Sequence, residues 1–235
     1  MKSAIQRTLR RFGWEIRRYE LAEVARLVGF LHRHRIDCVL DVGANVGQFA
    51  TELRHTGYTG RIVSFEPQAG AHVHLCTLAK DDPLWDVAPR AAVGAAPGEI
   101  EMNISANSVS SSALPILDTH TDSAPQSRYI RTETVPVIRL DDCDLIDRSQ
   151  RLFLKVDTQG YEQHVLDGAS ALLGMVRGVQ LETSLAPLYA GQADFSALFG
   201  QLVGAGFQPW FIDPAFADRV TGRLLQCDLT MFRPD

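Results

Sequence analysis

Short apolar runs alternate along the first part of the chain with segments of helical spacing. Apolar runs at residues 38–42, 61–65 and 85–93 predict strands, because each is short and is bounded by polar or Gly-rich turns. Residues 48–55 and 69–80, which separate these runs, have the spacing of amphipathic helices. This order is typical of the mononucleotide-binding half of a doubly wound sheet with helices on both faces.

The second half of the chain returns to the same pattern after a polar middle region. Its predicted elements are strands at 151–157 and 178–182, helical segments reaching about residue 173 and at 195–203, and final strands at 206–212 and 225–232. We expect the last two strands to form an antiparallel edge on an otherwise parallel sheet. The pattern therefore predicts an α/β fold.

The middle region is polar and rich in serine. Residues 99–104 and 133–138 alternate like strands, and a Ser-rich loop insertion at about 105–128 separates them. Loops of that length inside a compact domain are usually functional or mobile. This one is either a lid over a substrate or a solvated, variable connection, and the sequence favours neither.

Composition narrows the class of protein. A chain of 235 residues with 46% hydrophobic content fits one globular domain. Its net charge of -5 argues against a nucleic-acid partner, because binding to a polyanion depends on Lys and Arg. The four cysteines are scattered without a C-x-x-C pair, so we expect reduced thiols in a cytoplasmic protein. No apolar run approaches the ~20 residues that span a bilayer, and no signal peptide is evident.

Residues 1–35 form a basic, helical segment ahead of the predicted domain at 36–235. Its arginines are interleaved with apolar residues, and a helix is predicted at about 21–34. We favour a segment that packs on the domain and exposes its arginines to water, because Gly13 interrupts the pattern. The alternative is peripheral contact with the inner face of an anionic membrane.

A Gly-x-Asn-x-Gly turn follows the first predicted strand, in the segment VLDVGANVG. Gly43, Asn45 and Gly47 allow a ligand to approach the backbone closely. The spacing lacks the full G-x-G-x-x-G of dinucleotide sites and the lysine of a P-loop, so phosphate-bearing ligands lose support. Glu66 ends the next strand, where an acid suits ribose hydroxyls. Together with Asp41, these residues predict a ligand with a ribose but no phosphates, such as S-adenosylmethionine.

Two acids end the later strands of the predicted sheet. Asp157 and Glu182 lie where open α/β sheets bind ligands. They are candidates for a general base acting on a hydroxyl, or for ligands of Mg²⁺. The alternative is a structural role, in which Asp157 caps the following helix. Lys155 shares a face with Asp157 by alternation and either keeps it ionised or packs its stem while its ammonium reaches water. His164 is a second candidate base or a surface histidine.

Five motifs occur in a specific order between residues 36 and 185. They are DVGANVG at 41–47, FEP at 65–67, SSS at 110–112, LKVDTQGYE at 154–162 and VLDGA at 165–169. With these motifs the sequence resembles the FkbM family of S-adenosylmethionine-dependent methyltransferases. The resemblance implies a class I, Rossmann-like methyltransferase fold and methyl transfer to oxygen. It also implies an acceptor that is mainly a sugar hydroxyl of a glycolipid, a polysaccharide or a glycosylated natural product, or else a hydroxyl of a polyketide.

The resemblance also assigns roles to individual residues. It places Asp41, Gly43, Asn45, Gly47, Glu66 and Pro67 in the cofactor site, and Asp157 at the family's strand-end acid. Many members have D-x-E-G-x-E in the fourth motif, whereas this chain has Gln159 at the first Glu. Any role that needs a negative charge there is in doubt. Two other hypotheses stay open: an NAD-dependent oxidoreductase and a non-catalytic Rossmann-like scaffold.

Overall fold

The structure, a computed structural model, describes residues 23–234. The strands in this part of the chain are β1 (Cys38–Val42), β2 (Arg61–Phe65), β3 (Trp85–Val87), β4 (Ala92–Val93), β5 (Gly98–Ser105), β6 (Tyr129–Ile138), β7 (Leu152–Val156), β8 (Gly178–Ser184), β9 (Gln208–Ala217) and β10 (Leu224–Phe232). The α-helices are α1 (Glu23–Arg33), α2 (Gln48–His55), α3 (Ala69–Ala79), α4 (Asp118–Ser123), α5 (Glu162–Asp167), α6 (Ser170–Leu173) and α7 (Phe195–Gly204).

Seven strands form one sheet in the order β3-β2-β1-β7-β8-β10-β9. Strands β3, β2, β1, β7 and β8 are parallel, and β10 pairs antiparallel with both β8 and β9. The predicted mostly parallel sheet with an antiparallel pair at its end is confirmed. Because parallel strands carry their carboxyl ends to one edge, the turns after β1, β2, β7 and β8 meet there.

Strand β1 is buried on both faces. Cys38, Leu40 and Val42 pack in one core cluster, with residues of α5, α6 and α7, whereas Val39 packs in a second cluster with residues of α1, α2 and α3. Side chains alternate along a strand, so helices on both faces require apolar residues at successive positions. Asp41 is the polar exception in β1, and it is fully buried.

A second, smaller sheet is built from the polar middle of the chain. Strand β6 pairs parallel with β4 and antiparallel with β5. The prediction of one strand at residues 85–93 is wrong, because β3 belongs to the main sheet and β4 to the smaller one. Pro89 lies between them and has no N–H to donate to a strand ladder, which explains the break.

The helical segment after β7 is interrupted at Gly168. A single run to about residue 173 was expected, but α5 and α6 are separate short helices. A Cβ on Gly168 would overlap the carbonyl oxygen of Gly94, so glycine allows this helical turn to pack directly on the end of β4. The break therefore joins the larger sheet's helical layer to the smaller sheet.

Helix α1 packs on the domain through Leu27, Val28 and Leu31, which join the second core cluster. Most of the predicted basic segment, residues 1–22, lies outside the described residues, and the boundary at residue 35 stays a prediction. Within residues 23–234, no helix combines the length and the apolar character needed to cross a membrane.

Candidate active site

The turn after β1 depends on residues in the left-handed backbone region. Gly43, Asn45 and Gly47 have φ angles of 84°, 48° and 89°. A Cβ on Gly43 would overlap the carbonyl oxygen of Asp157, so only glycine fits between the ends of β1 and β7. Asn45 tolerates its φ because its side-chain Oδ1 accepts a hydrogen bond from the Val46 N–H at 2.8 Å. This turn is therefore compact and presents its backbone to a cavity beyond the ends of β1, β2 and β7, which is the first of two cavities at the site.

Glu66, directly after β2, holds the turn and keeps acceptor positions free. Its buried carboxylate accepts from the backbone N–H of Asn45 at Oε2 and of Gln68 at Oε1, both at 2.7 Å. Each oxygen retains a second acceptor position. Burial raises the pKa of Glu66 to about 7, although the two N–H donors oppose the shift. Pro67 lines the same cavity.

Asp41 lies behind this cavity and is not among the described residues that line it. Its Oδ1 is 3.5 Å from Nζ of Lys155, and its Oδ2 accepts from Oγ of Ser64 at 3.3 Å. Burial raises the pKa of Asp41, and the Lys155 ammonium opposes that shift. Burial would lower the pKa of Lys155, but the carboxylates of Asp157 and Asp41 outweigh it and raise the pKa, so Lys155 stays cationic. The Asp41 carboxylate thus holds the Lys155 ammonium in place. Contact between Asp41 and a cofactor stays a prediction.

A cavity of about 210 Å³ lies beyond the ends of β1, β2 and β7. Of the predicted site residues, its lining includes Gly43, Asn45, Glu66, Pro67, Lys155 and Asp157. Apolar side chains from the smaller sheet, such as Ile100 and Met102, and Phe49 of α2 complete the wall. Gly47 does not line it; a Cβ there would contact side chains of α3 and Trp85, so this glycine shapes the start of α2.

The Ser-rich segment packs over this cavity. Gln68 donates from Nε2 to the carbonyl oxygen of Ser108 at 3.1 Å, and Nδ2 of Asn45 lies 3.4 Å from Oγ of Ser108. Val109 and the buried Ser111 contribute to the cavity wall. Of the two interpretations of this segment, these contacts favour a cover over the site.

Asp157 lies at the end of β7 with both carboxylate oxygens engaged. Nζ of Lys155 is 3.4 Å from Oδ2, and Gln159 donates from Nε2 to Oδ1 at 2.9 Å. The side chain remains 34% exposed, so it also faces the cavity. The next helix begins at Glu162, so the alternative in which Asp157 caps it is wrong. Glu162 shapes the intervening loop instead, because its Oε1 accepts two backbone N–H groups of that loop at 3.0 and 3.1 Å.

Glu182 on β8 faces a second cavity, of about 300 Å³. Its Oε2 accepts from the side-chain amides of Gln159 at 2.5 Å and Gln226 at 2.8 Å. Burial, reinforced by the nearby Asp157 charge, raises the pKa of Glu182 well above its ordinary value. Val109, Asp157 and Gln159 line both cavities. The two strand-end acids therefore meet where the cavities adjoin.

His164 is separated from these acids. It lies in the first turn of α5, not two turns into a helix as expected, and stacks on Tyr161 with ring centroids 4.0 Å apart. Its side chain is not among the described residues that line either cavity. A direct role for His164 as the base stays a prediction with no contact to support it.

In the described part of the chain, no third ligand accompanies Asp157 and Glu182 at the predicted Mg²⁺ site. Across residues 23–234, no group of three or more His, Cys, Asp or Glu side chains is arranged to hold a metal ion. The amide nitrogen of Gln159 lies between the two carboxylates instead.

Comparison with known families decides the family of the chain. The methyltransferase FkbM domain matches residues 41–209, a range that includes every described residue lining the first cavity and both strand-end acids. The chain belongs to this family. No curated protein matches the sequence significantly.

Solved structures agree with the fold of an FkbM methyltransferase. A Thermobifida fusca protein assigned as a methyltransferase is 13% identical, with a TM-score of 0.52 over 90% of this chain and 79% of that one. The Burkholderia thailandensis 1,6-didemethyltoxoflavin-N1-methyltransferase, solved with S-adenosylhomocysteine, is 13% identical, with a TM-score of 0.50 over 92% of this chain and 81% of that one. At this identity they show the class I, Rossmann-like fold, which is confirmed.

The FkbM chain is an S-adenosylmethionine-dependent methyltransferase. The residues that line its first cavity could hold that cofactor. The tight Gly43 turn leaves room beside the backbone, and each oxygen of Glu66 has one acceptor position left for a ribose hydroxyl. The segment DVGANVG has neither the full G-x-G-x-x-G spacing of dinucleotide sites nor the lysine of a P-loop, so it favours a ligand without phosphates.

Several residues of the FkbM site carry no signal in the sequence. His120, Phe216 and Gln226 line the second cavity, although they come from α4, β9 and β10. Tyr189, from the loop after β8, donates to Oε1 of Gln159 at 2.7 Å. His120, Phe216 and Gln226 belong to no motif. Tyr189 ends the stretch LETSLAPLY at 181–189, which resembles a subgroup of bacterial glycolipid and sugar O-methyltransferases, and Gln159 departs from the family's usual glutamate, so these two residues had a signal in the sequence.

Affinity of the FkbM chain for S-adenosylhomocysteine should depend on pH through Glu66. Ribose hydroxyls bind best to the ionised carboxylate, and its pKa is raised to about 7, so affinity should rise with pH and level off above 7. Isothermal titration calorimetry should show about tenfold weaker binding at pH 6 than at pH 8. Glu66→Gln should bind more weakly at pH 8 and lose this dependence. An equal pH profile for both proteins would contradict the prediction.

Proposed function

We propose that this FkbM methyltransferase transfers a methyl group to a hydroxyl oxygen, with Asp157 as the general base. The observation that carries the proposal is the position of Asp157, which lines both cavities at their junction. A cofactor held in the first cavity and an acceptor in the second would meet at this carboxylate. Oxygen acceptors need a proton removed, and a carboxylate in hydrogen-bond reach can take it.

The residues around Asp157 support this role. S-adenosylmethionine, when bound, supplies a methyl group that is already activated. Lys155 stays cationic, and its Nζ lies 3.4 Å from Oδ2 of Asp157, where it helps to orient the carboxylate. Burial raises the pKa of Glu182, so this side chain is suited to exchange a proton with the acceptor. Both of its hydrogen-bond donors are side-chain amides. The chain's own work is thus to align the two ligands and to accept one proton.

The second cavity supports a sugar as the acceptor. Of the described residues that line it, three are apolar and nine are polar, namely Asn107, Ser110, His120, Gln126, Asp157, Gln159, Glu182, Arg219 and Gln226. A polyhydroxylated sugar ring can form hydrogen bonds with many of these polar side chains at once. Phe216 adds an aromatic side chain, and sugar rings pack their C–H faces on aromatic surfaces.

His120 is suited to bind an acceptor hydroxyl. It is 3% exposed and lines the second cavity, and its Nδ1 has no hydrogen-bond partner among residues 23–234. Burial lowers the pKa of His120 to about 4, so the imidazole is neutral at physiological pH and offers both a donor and an acceptor. A buried polar atom without a partner favours a ligand that supplies one.

We further propose that the sugar belongs to a glycolipid, a polysaccharide or a glycosylated natural product, in the cytoplasm or at the inner face of the membrane. The residues that suggest membrane contact lie in 1–22, which the structure does not describe. Deleting residues 1–18 should lower binding to anionic vesicles. Unchanged vesicle binding would contradict the proposed membrane contact. It would not bear on the proposed methyl transfer.

Labelled S-adenosylmethionine tests the reaction directly. Purified protein should incorporate label into glycan or glycolipid extracts, and acid hydrolysis should release O-methylated sugars. Label found only in RNA, protein or nitrogen heterocycles would contradict the proposal. The oxidoreductase hypothesis predicts stabilisation by NAD(H) and not by S-adenosylhomocysteine in a thermal-shift assay, which separates the two. A scaffold would incorporate no label at all.

Replacing Phe216 by alanine should weaken acceptor binding selectively. Loss of one stacking ring is expected to raise the KM for a sugar acceptor about tenfold, with little change in kcat. The dissociation constant of S-adenosylhomocysteine should not change, because Phe216 does not line the first cavity. Phe211→Ala is the matched control, since Phe211 lies on the same strand but packs under the Arg26 guanidinium. Equal KM values for the two variants would contradict the sugar-stacking role.

A further inference from the structure

Gln159 is held in an unusual conformation in the loop between β7 and α5. Its φ of 56° lies in the left-handed region, which a non-glycine residue adopts at a cost. Such conformations persist where the surroundings fix them, and they cluster at functional sites. Here the backbone carbonyl of Gln159 accepts from Oγ of Ser112 at 2.7 Å, and the residue is 9% exposed.

The chemistry of its neighbours fixes the orientation of the Gln159 amide. Nε2 lies 2.9 Å from Oδ1 of Asp157 and 2.5 Å from Oε2 of Glu182. Carboxylate oxygens accept hydrogen bonds. The NH₂ group of the Gln159 amide, rather than its carbonyl oxygen, must therefore face them. At the other end, the hydroxyl of Tyr189 donates to Oε1 at 2.7 Å. One amide group therefore forms hydrogen bonds with three side chains.

We propose that Gln159 is a positioning residue for the transfer reaction, whose amide nitrogen bridges Asp157 and Glu182 where a divalent cation would otherwise bind. The inference rests on the proposed role of Asp157. With Gln159 at one oxygen and Lys155 at the other, the Asp157 carboxylate is held in one orientation at the junction of the cavities. The bridge provides this orientation without a metal ion.

Loss of the bridge should affect the chemical step more than binding. An unrestrained carboxylate can rotate about its Cβ–Cγ bond, and a displacement of about 1 Å at a reacting group can cost ~10²-fold in rate. Glu66 and the Gly43 turn form the cofactor side, whereas the Gln159 amide makes its hydrogen bonds with Asp157, Glu182 and Tyr189. A positioning role therefore predicts a lower kcat with a nearly unchanged KM for S-adenosylmethionine.

Gln159→Glu tests the bridge with almost no change in shape. It replaces the two donors by an oxygen and places three carboxylates around one point. Without added metal, kcat should fall between ten- and a hundredfold, and Mn²⁺ or Mg²⁺ should restore part of it. Wild-type kcat should be unchanged by exhaustive chelation. Gln163→Glu is the matched control, since its amide donates to Asp167 at 2.8 Å on the exposed face of α5, and this variant should behave as wild type.

Metal binding provides a readout that does not need activity. Electron paramagnetic resonance with Mn²⁺ should show one bound ion per chain of Gln159→Glu and none for the wild type. Gln159→Met keeps the length without donor or charge, and should lose kcat without rescue by Mn²⁺. The inference is overturned if wild-type protein binds Mn²⁺ at this site, or if Gln159→Glu keeps full kcat without metal. If the wild type transfers no methyl group to any hydroxyl, the proposed function fails whatever the Mn²⁺ result.

Discussion

Replacing Asp157 by asparagine is expected to lower kcat for methyl transfer by about 10²- to 10⁴-fold. The asparagine has nearly the same size but cannot take a proton from the acceptor hydroxyl. Glu66 and the Gly43 turn, which line the cofactor cavity, are untouched. The dissociation constant of S-adenosylhomocysteine should therefore stay close to that of the wild type. Initial rates with labelled S-adenosylmethionine and calorimetry with S-adenosylhomocysteine measure the two effects separately.

The control for this variant is Asp167→Asn on α5, where an exposed aspartate changes in the same way. It should retain wild-type kcat. Should Asp157→Asn transfer methyl groups at the wild-type rate, Asp157 is not the base. If both kcat and S-adenosylhomocysteine affinity fall together, Asp157 acts by holding the cofactor, and the base must be sought elsewhere in the second cavity.

Replacing Lys155 by methionine is expected to lower the free energy of unfolding by about 3–5 kcal/mol, because it breaks a buried ion pair. Asp41 is fully buried, and Nζ of Lys155 at 3.5 Å is the cation nearest to it among its contacts. Without that ammonium, Asp41 must either remain charged in the core or take up a proton. Urea denaturation at pH 7.5, followed by far-UV circular dichroism, measures the change.

Two further variants test the physical reason for this loss. Asp41→Asn in the Lys155→Met background removes the uncompensated charge and should recover at least half of the lost stability. Lys80→Met changes an exposed lysine at the end of α3 and should have almost no effect. A loss below about 1 kcal/mol in Lys155→Met would mean that Asp41 is solvated or protonated in the native protein.

Apolar periodicity located most elements of this fold within one or two residues. The helix Gln48–His55 and the strands at 38–42 and 61–65 have the predicted bounds. Such runs are decided locally, since a strand buried on both faces must be apolar at consecutive positions. The two wrong elements depend on distant partners. The end of the run 85–93 pairs with β6, and the helical segment after β7 breaks where Gly168 contacts Gly94.

The sequence by itself determined the fold class and the family, and it singled out Gly43, Asn45 and Glu66 at the first cavity, because this turn and its acid are contiguous motifs next to strands. Glu66 and Asp157 occupy the cavity edge because parallel strands end together. Only the tertiary structure decided the second cavity, which His120 and Phe216 reach from separate elements. It also decided that Asp41 contacts Lys155 and that Gln159 bridges two acids. Contacts between side chains of different elements produce no periodic pattern in the sequence, so periodicity cannot predict them.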